Sequence, residues 1–294
     1  MSDANTAPDA APVKAKTGLG KRWTYAVLIV ALLFVMMPFL FWNATWFGRP
    51  LTDAQLGKAL NDHQHAREIQ HAMTQLELRI EHNDPAAHAW YPQLVSLASD
   101  PLTEIRVTDA WVMGQDNSAP EFHAALLKML SDPQPMVRRN AALSLVRFKD
   151  DSGHAQILEM LKPYDMPATQ AGIIRERLKP GDTINPGTMV ARVEMQDGNK
   201  AELRANVPGT LLSWSVPDGS QIQPGTPIVI IAPDENMVWE SLRALYLVGK
   251  PEDAAAVEPY TRAAVGMAPQ VEQQAVLTLQ HLRSSTPAQT NSSS

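Results

Sequence analysis

Apolar positions along the chain keep three different rhythms. From Trp23 to Gly48 no charged residue occurs, and between Tyr25 and Trp42 the tyrosine hydroxyl is the one polar group. A helix needs about 20 apolar residues to cross a bilayer, so this run predicts a transmembrane helix over 21–48. From 51 to 162 the spacing is helical: Leu56, Ala59 and Leu60 open one stripe, and Ile69, Met73, Leu76 and Ile80 form another. From 171 to 233 the period drops to two. Met189, Ala191, Val193 and Met195 alternate with Val190, Arg192 and Glu194; after Asp197-Gly198-Asn199, Ala201, Leu203, Ala205 and Val207 alternate with Glu202, Arg204 and Asn206. Alternation on both sides of an Asp-Gly turn predicts a β-hairpin.

The helical stretch repeats itself. Ser99-Asp100-Pro101 leads to Ile105-Arg106 and then Ala110-Trp111-Val112-Met113. Ser131-Asp132-Pro133 leads to Val137-Arg138 and then Ala142-Leu143-Ser144-Leu145. Each unit continues into a second predicted helix, Phe122 to Leu130 and His154 to Leu161. An offset of about 32 residues is the signature of a helical solenoid. The pattern resembles HEAT repeats of the short bacterial type. That resemblance implies that the Asp-Pro turns at Asp100 and Asp132 start the first helices, and that Arg106 and Arg138 bond to the neighbouring unit. An earlier unit from Asp62 to Ala98 fits as the N-terminal cap. Helical spacing returns at Met237-Val238, followed by Ala244, Leu245 and Leu247, then at Pro251 to Val257, and again from Pro269-Gln270-Val271 through Leu279. These predict one and a half further repeats over 235–283, with the β segment inserted into the array.

The β segment says the same thing twice. Gly172-Ile173-Ile174, an isolated Ile184, Pro186-Gly187-Thr188 and Met189 to Val193 are answered by Gly209-Thr210-Leu211-Leu212, an isolated Ile222, Pro224-Gly225-Thr226 and Pro227 to Ile231. Neither half alone buries enough, so the two should close on each other. The duplication resembles the biotinyl/lipoyl fold, a barrel-sandwich hybrid of two interlocking halves. Ala205-Asn206-Val207-Pro208-Gly209 and Pro224-Gly225-Thr226-Pro227-Ile228 are similar to the corresponding domain of periplasmic adaptor (membrane-fusion) proteins of efflux and secretion systems. The expected fold class is therefore multidomain α plus β: a disordered cytoplasmic tail (1–20), a transmembrane helix (21–48), HEAT-like repeats (51–162), a small all-β barrel-sandwich hybrid (168–233), further HEAT-like helices (235–283) and a disordered tail (284–294).

Charge sets the topology. Lys14, Lys16, Lys21 and Arg22 precede the apolar run, so the N-terminus should stay cytoplasmic and the rest should face the periplasm of a bacterial inner membrane. Trp23 and Tyr25 at one end and Trp42 and Trp46 at the other suit the two interfaces. No small-x-small pattern follows before Arg49, which argues against a cleaved signal peptide. The bilayer is thus an expected partner, from Trp23 to Phe47. Net charge is −6 without a long basic run, which disfavours nucleic acid. The absence of cysteine removes disulfides, thiolate metal sites and thiol nucleophiles.

Candidate chemistry is sparse. A carrier of the biotinyl/lipoyl type needs a lysine at the exposed turn between the β halves, and Lys200 is the candidate. No Met-Lys-Met surrounds it and no acidic residue immediately precedes it. His63, His65 and His71 are expected on one helix, yet 63 and 65 point apart there, so a solvated face fits better than a metal site. Arg138-Arg139 and Arg175-Glu176-Arg177 are too short for phosphate sites. No nucleophile elbow, P-loop, dinucleotide fingerprint or zinc motif occurs. The expectation is a periplasm-facing scaffold or adaptor that binds membrane or periplasmic proteins, an accessory subunit of a transport or secretion complex, with no cofactor and no turnover. The resemblance leaves room for a homo-oligomer. The alternative is a biotin or lipoyl carrier subunit modified at Lys200.

Overall fold

The structure, a computed structural model, describes residues 21–44, 50–262 and 266–284. The expected disordered tail 1–20, the interfacial Trp46 and all but the first residue of the expected tail 284–294 lie outside these residues. The chain divides into two units, residues 1–51 and 52–294. The first contributes α1 (Lys21–Ala44), 24 residues with Pro38 inside. At 1.5 Å per residue it reaches about 36 Å, more than the roughly 30 Å of a hydrocarbon core. Its Arg22–Leu40 window has a mean hydropathy of 2.3 and none of it is buried. This helix could span a membrane.

In the second unit, α2 (Asp53–Leu60) and α3 (Ala66–Glu81) are followed by a 3₁₀ turn (Pro85–Trp90) that runs into α4 (Tyr91–Leu97). Two helix pairs come next: α5 (Thr103–Met113) with α6 (Pro120–Met129), and α7 (Pro135–Arg147) with α8 (His154–Glu159). An aspartate folds the chain into each. Asp100 Oδ1 accepts from Leu102 N at 2.8 Å ahead of α5, and Asp132 Oδ1 from Gln134 N at 2.8 Å ahead of α7. Asp116 and Asp150 do the same for α6 and α8, at 2.8 and 2.7 Å. Such turns hold the backbone out of helical geometry at one place and release it into a helix directly after. Pro120 and Pro135 occupy first-turn positions, where no backbone N–H is needed. Successive first helices then pack closely. Ser144 Oγ donates to Ala110 O at 2.7 Å, and Asn140 Nδ2 to Val107 O at 3.0 Å.

Eight strands follow: β1 (Tyr164–Pro167), β2 (Gly172–Glu176), β3 (Thr183–Ile184), β4 (Met189–Glu194), β5 (Lys200–Arg204), β6 (Gly209–Trp214), β7 (Gln221–Ile222) and β8 (Pro227–Pro233). They make two antiparallel sheets, ordered β1-β8-β6-β3 and β5-β4-β2-β7. The two halves exchange strands. β7 of the second half pairs with β2 of the first, and β3 of the first pairs with β6 of the second. Ile184 and Ile222, the isolated isoleucines, are both buried in the shared core with Ile174, Val193, Leu203, Leu211 and Ile228. The duplicated glycines are also structural equivalents. Gly172 has φ +150° against Glu194 O, and Gly209 has φ +154° against Ala232 O. A Cβ at either would collide with that carbonyl.

Two features differ from the sequence pattern. The sheets begin before the expected residue 168, because Tyr164–Pro167 pairs with β8; a four-residue strand ending in proline carries too little alternation to be read. In β4, Val190 and Ala191 are both buried, against strict alternation. The register with β5 slips between Met189 and Ala191, and an extra residue there turns two successive side chains inward.

After β8, Asp234 caps α9 (Glu235–Val248) by accepting from Asn236 N and Met237 N. A 3₁₀ turn (Pro251–Asp253) leads into α10 (Ala254–Val257), and α11 (Pro269–Ser284) ends the described chain. One core contains Ala142, Val146, Ile157 and Leu161 from before the sheets and Val238, Leu242, Leu245, Val271 and Leu282 from after them. Polar contacts follow the same route: Ser241 Oγ donates to Ile157 O at 2.7 Å, and Tyr260 Oη to Leu161 O at 2.6 Å. The sheets themselves lean on the helices through Met136 and Tyr164, which pack against the β core.

A close approach between α5 and α7 yields a test. A Cβ on Gly114 would collide with the Ser144 side chain. Gly114→Ala is expected to destabilise the protein by about 1–3 kcal/mol, as overpacking does, and to lower the melting temperature followed by circular dichroism. An unchanged melt would contradict this packing.

Candidate functional site

The Asp-Pro turns are braced by their arginines, and one of these, Arg106, ties two units together. Arg106 on α5 donates through Nε and one Nη to the two carboxylate oxygens of Asp132, at 2.7 and 3.1 Å, a two-pronged pair that planar guanidinium geometry favours. Its other Nη donates to Asp100 O at 2.7 Å. The bond to Asp132, ahead of the opposing effect of burial, holds the guanidinium above its ordinary pKa. Arg138 on α7 repeats the inner contacts, donating to Asp132 O at 2.8 Å and Pro133 O at 3.1 Å. Its outer partner is the neutral Gln156 Oε1 at 3.1 Å, on α8 of its own pair, so unlike Arg106 it does not make the expected bond to a neighbouring unit. Asp100, at the other end, faces His63 Nδ1 at 2.9 Å. A groove of about 650 Å³ lies along these turns, between Ala98 and Pro101 on one side and Ala125, Lys128 and Pro133 on the other.

The histidines depart from the expectation. His63 and His65 precede α3, which begins at Ala66, so neither is on that helix. His63 holds Asp100, and two histidines that the pattern did not single out behave alike: His123 Nε2 lies 2.6 Å from Asp150 Oδ2, and His154 Nε2 lies 2.8 Å from Asp253 Oδ2. Each imidazole meets a carboxylate that belongs to a turn ahead of a later helix. Sequence spacing gives no sign of these pairs, since their partners are 27 to 99 residues away. Among the described residues, no group of three His, Asp or Glu side chains is arranged to hold a metal ion.

Lys200 opens β5 with its side chain 65% exposed, 3.6 Å from Glu194 on the paired strand. It is therefore the first residue of the strand, just past the Asp197-Gly198-Asn199 turn.

The first helices of successive units, α3, α5 and α7, are also joined by exposed side chains. Trp111 Nε1 donates to Glu77 Oε1 at 2.6 Å, and Arg147 lies 5.5 Å above the Trp111 ring. These three residues come from α3, α5 and α7. Outside α1, the exposed large apolar side chains among the described residues are Leu78, Trp111, Tyr246, Leu247 and Leu277 on first-layer helices, with Leu212 on β6. Leu247 and Val248 form a depression of about 490 Å³ with Val146, Arg147 and Lys149. Nearer the start of the same helices, a second groove of about 430 Å³ separates them from the sheets, lined by Gln70, Thr108, Met136, Gly187, Ala205 and Asn206.

Asp109 on α5 is fully buried, and neither carboxyl oxygen has a hydrogen-bond partner. Burial first, and the charge of Asp100 second, push its pKa well above the ordinary range. A charged residue four positions from Ile105 and four from Met113, inside the buried stripe, was the available signal. Because the folded-state pKa lies above the unfolded one, the unfolded chain sheds its proton near pH 4 while the folded chain keeps it. Stability is lost as pH rises from there until the folded carboxyl ionises. Asp109→Asn should remove that loss. Thermal melts at pH 4.5, 6 and 7.5 are expected to show wild type falling behind the variant as pH rises, by at most roughly 1.4 kcal/mol per pH unit and only until the folded carboxyl ionises; parallel profiles would contradict a buried acid.

Residues 91–171 match the family model of HEAT repeats, a segment that runs from α4 through α8 and into the first sheet residues. The helical pairs α5/α6 and α7/α8 are HEAT-like repeats. No curated protein matches the chain.

Proposed function

We propose that the chain is a membrane-anchored adaptor whose folded unit faces the periplasm and binds another envelope protein through the first-helix layer. The observation that carries the reading is the set of exposed apolar side chains on those helices, Leu78, Trp111 and Leu247; Arg147 lies over the Trp111 ring and, with Lys149 and Asp151, lines the depression beside Leu247. Solvent-facing tryptophan and leucine gathered on one layer of a solenoid suit a partner surface. The fully open apolar α1 supports a membrane anchor, and Lys21 and Arg22 at its start favour a cytoplasmic N-terminus. The exchange of β3 and β7 between halves supports the barrel-sandwich hybrid reading. The joint helical core on both sides of the sheets supports an inserted β unit. The Arg106–Asp132 pair serves as the tie between neighbouring units.

Affinity purification from gently solubilised membranes tests the reading. A co-purifying protein is expected with wild type and is expected to be lost with Trp111→Ser/Leu247→Ser, while the circular dichroism melt moves little, since both side chains are already partly in solvent. Retention of the partner by the double variant would contradict this surface. For topology, a phosphatase fused after residue 150 is expected to be active and a cytoplasm-dependent fluorescent reporter dark; the reverse pattern would overturn it. The carrier alternative stays separable by intact mass: an added biotinyl or lipoyl mass, absent from Lys200→Arg, would replace the adaptor reading.

A further inference from the structure

Two residues other than glycine take a positive φ among the described residues, Asn83 at +54° and Lys149 at +60°. Asparagine visits that conformation readily through its short polar side chain; lysine does not, and glycine is the residue that usually ends a helix this way. Lys149 stands just past the end of α7. Its N–H donates to Val146 O at 2.9 Å, and Asp150 N–H donates to Leu145 O at 3.1 Å. Gln115, its counterpart past the end of α5, has no such strain. A long cation thus occupies a turn that favours glycine, and strain of this kind points to a use for the side chain.

Lys149 lines the depression of about 490 Å³ beside Leu247 and Val248. Leu247 is 68% exposed, the most open large apolar side chain outside α1 among the described residues. Val238, Leu242 and Leu245 follow helical spacing into the core, and Leu247, two residues past Leu245, falls off that stripe. The charges around it are unbalanced. Asp151, the carboxylate at the depression, is held by Lys250 at 3.0 Å. Arg147 donates to Gly114 O and Gln115 Oε1 and lies over the Trp111 ring, with no carboxylate partner among the described residues. The Lys149 ammonium has no hydrogen bond and no ion pair among them.

We propose that this depression takes an acidic segment of a partner protein, with an aliphatic side chain set against Leu247 and Val248 and a carboxylate on Lys149 beside Arg147. The inference rests on the adaptor reading above and names the chemistry of the partner. Ammonium and guanidinium groups only donate, and a carboxylate supplies the charged acceptors they lack. A concave site of this size receives a side chain, which favours a polypeptide over the flat surface of a bilayer.

Calorimetry on the full-length protein in detergent at low salt tests it with three acetylated, amidated hexapeptides: Glu-Glu-Leu-Leu-Glu-Glu, the same with glutamine for every glutamate, and the same with alanine for both leucines. Saturable binding is expected for the first, and at least tenfold weaker binding for the other two. Lys149→Glu should weaken the first at least tenfold. Lys149→Gly should weaken it several-fold while the melting temperature holds or rises, because glycine suits the backbone there; a lysine kept only for the turn would leave binding unmoved. In nanodiscs, amide exchange over 146–151 and 246–250 is expected to match between phosphatidylcholine and phosphatidylglycerol. Protection in phosphatidylglycerol alone would assign the surface to lipid, self-association abolished by Lys149→Glu would assign it to a second copy, and either would overturn the proposal. A partner that still co-purifies with Lys149→Glu but not with Trp111→Ser/Leu247→Ser would uphold the adaptor reading and overturn this one. No saturable binding of the first peptide, or equal binding of the glutamine peptide, would overturn it as well.

Discussion

The apolar edge of the α7/α8 pair is the constraint on which the larger unit depends. A helical repeat buries one side against its predecessor and leaves the other open until a successor arrives. Here the successor, α9, comes only after the eight strands, yet Val238, Leu242 and Leu245 complete the core begun by Ala142, Val146 and Ile157. The backbone must therefore leave α8 and return within reach of it. β1 and β8, the first and last strands, are hydrogen-bonded neighbours, so the excursion begins and ends side by side. Closing the sheets and closing the helical core are one requirement seen from two places.

The β unit meets its own version of the same demand. Each half has one very short strand, β3 or β7, that could not stand alone, and each lends it to the other half. The glycines opposite Glu194 O and Ala232 O mark where the backbones approach most closely. Duplication and exchange thus bury a compact core from strands of two to seven residues. On the helical side, carboxylate turns perform the repetitive work. Asp100 and Asp132 each shape a turn and also receive a side chain from the preceding unit, His63 in one case and Arg106 in the other.

What was legible in the sequence is what is set locally. The Asp-Pro turns, the helical stripes, the paired Pro-Gly-Thr turns and the isolated isoleucines each act within a few residues, and the folded chain has helices and strands at those places. What was hidden depends on contacts across the chain. Tyr164–Pro167 becomes a strand because β8 offers it an edge. His123 and His154 look like surface histidines until Asp150 and Asp253 arrive from other turns. Arg139 reads as half of a basic pair and is instead enclosed by Tyr164, a residue of the β unit. Asp109 was the nearest to being readable, since it interrupts an apolar stripe that is otherwise complete.

Hydrogen exchange followed by mass spectrometry on a Leu242→Asp variant tests the joint core most directly. Leu242 is fully buried on α9, and a carboxylate there should break the core. The account predicts lost protection in 135–161 as well as in 235–284, with β4 and β6 still protected by their own core. Wild-type protection in 135–161 would mean that the helices before and after the sheets are stable independently, and would contradict it.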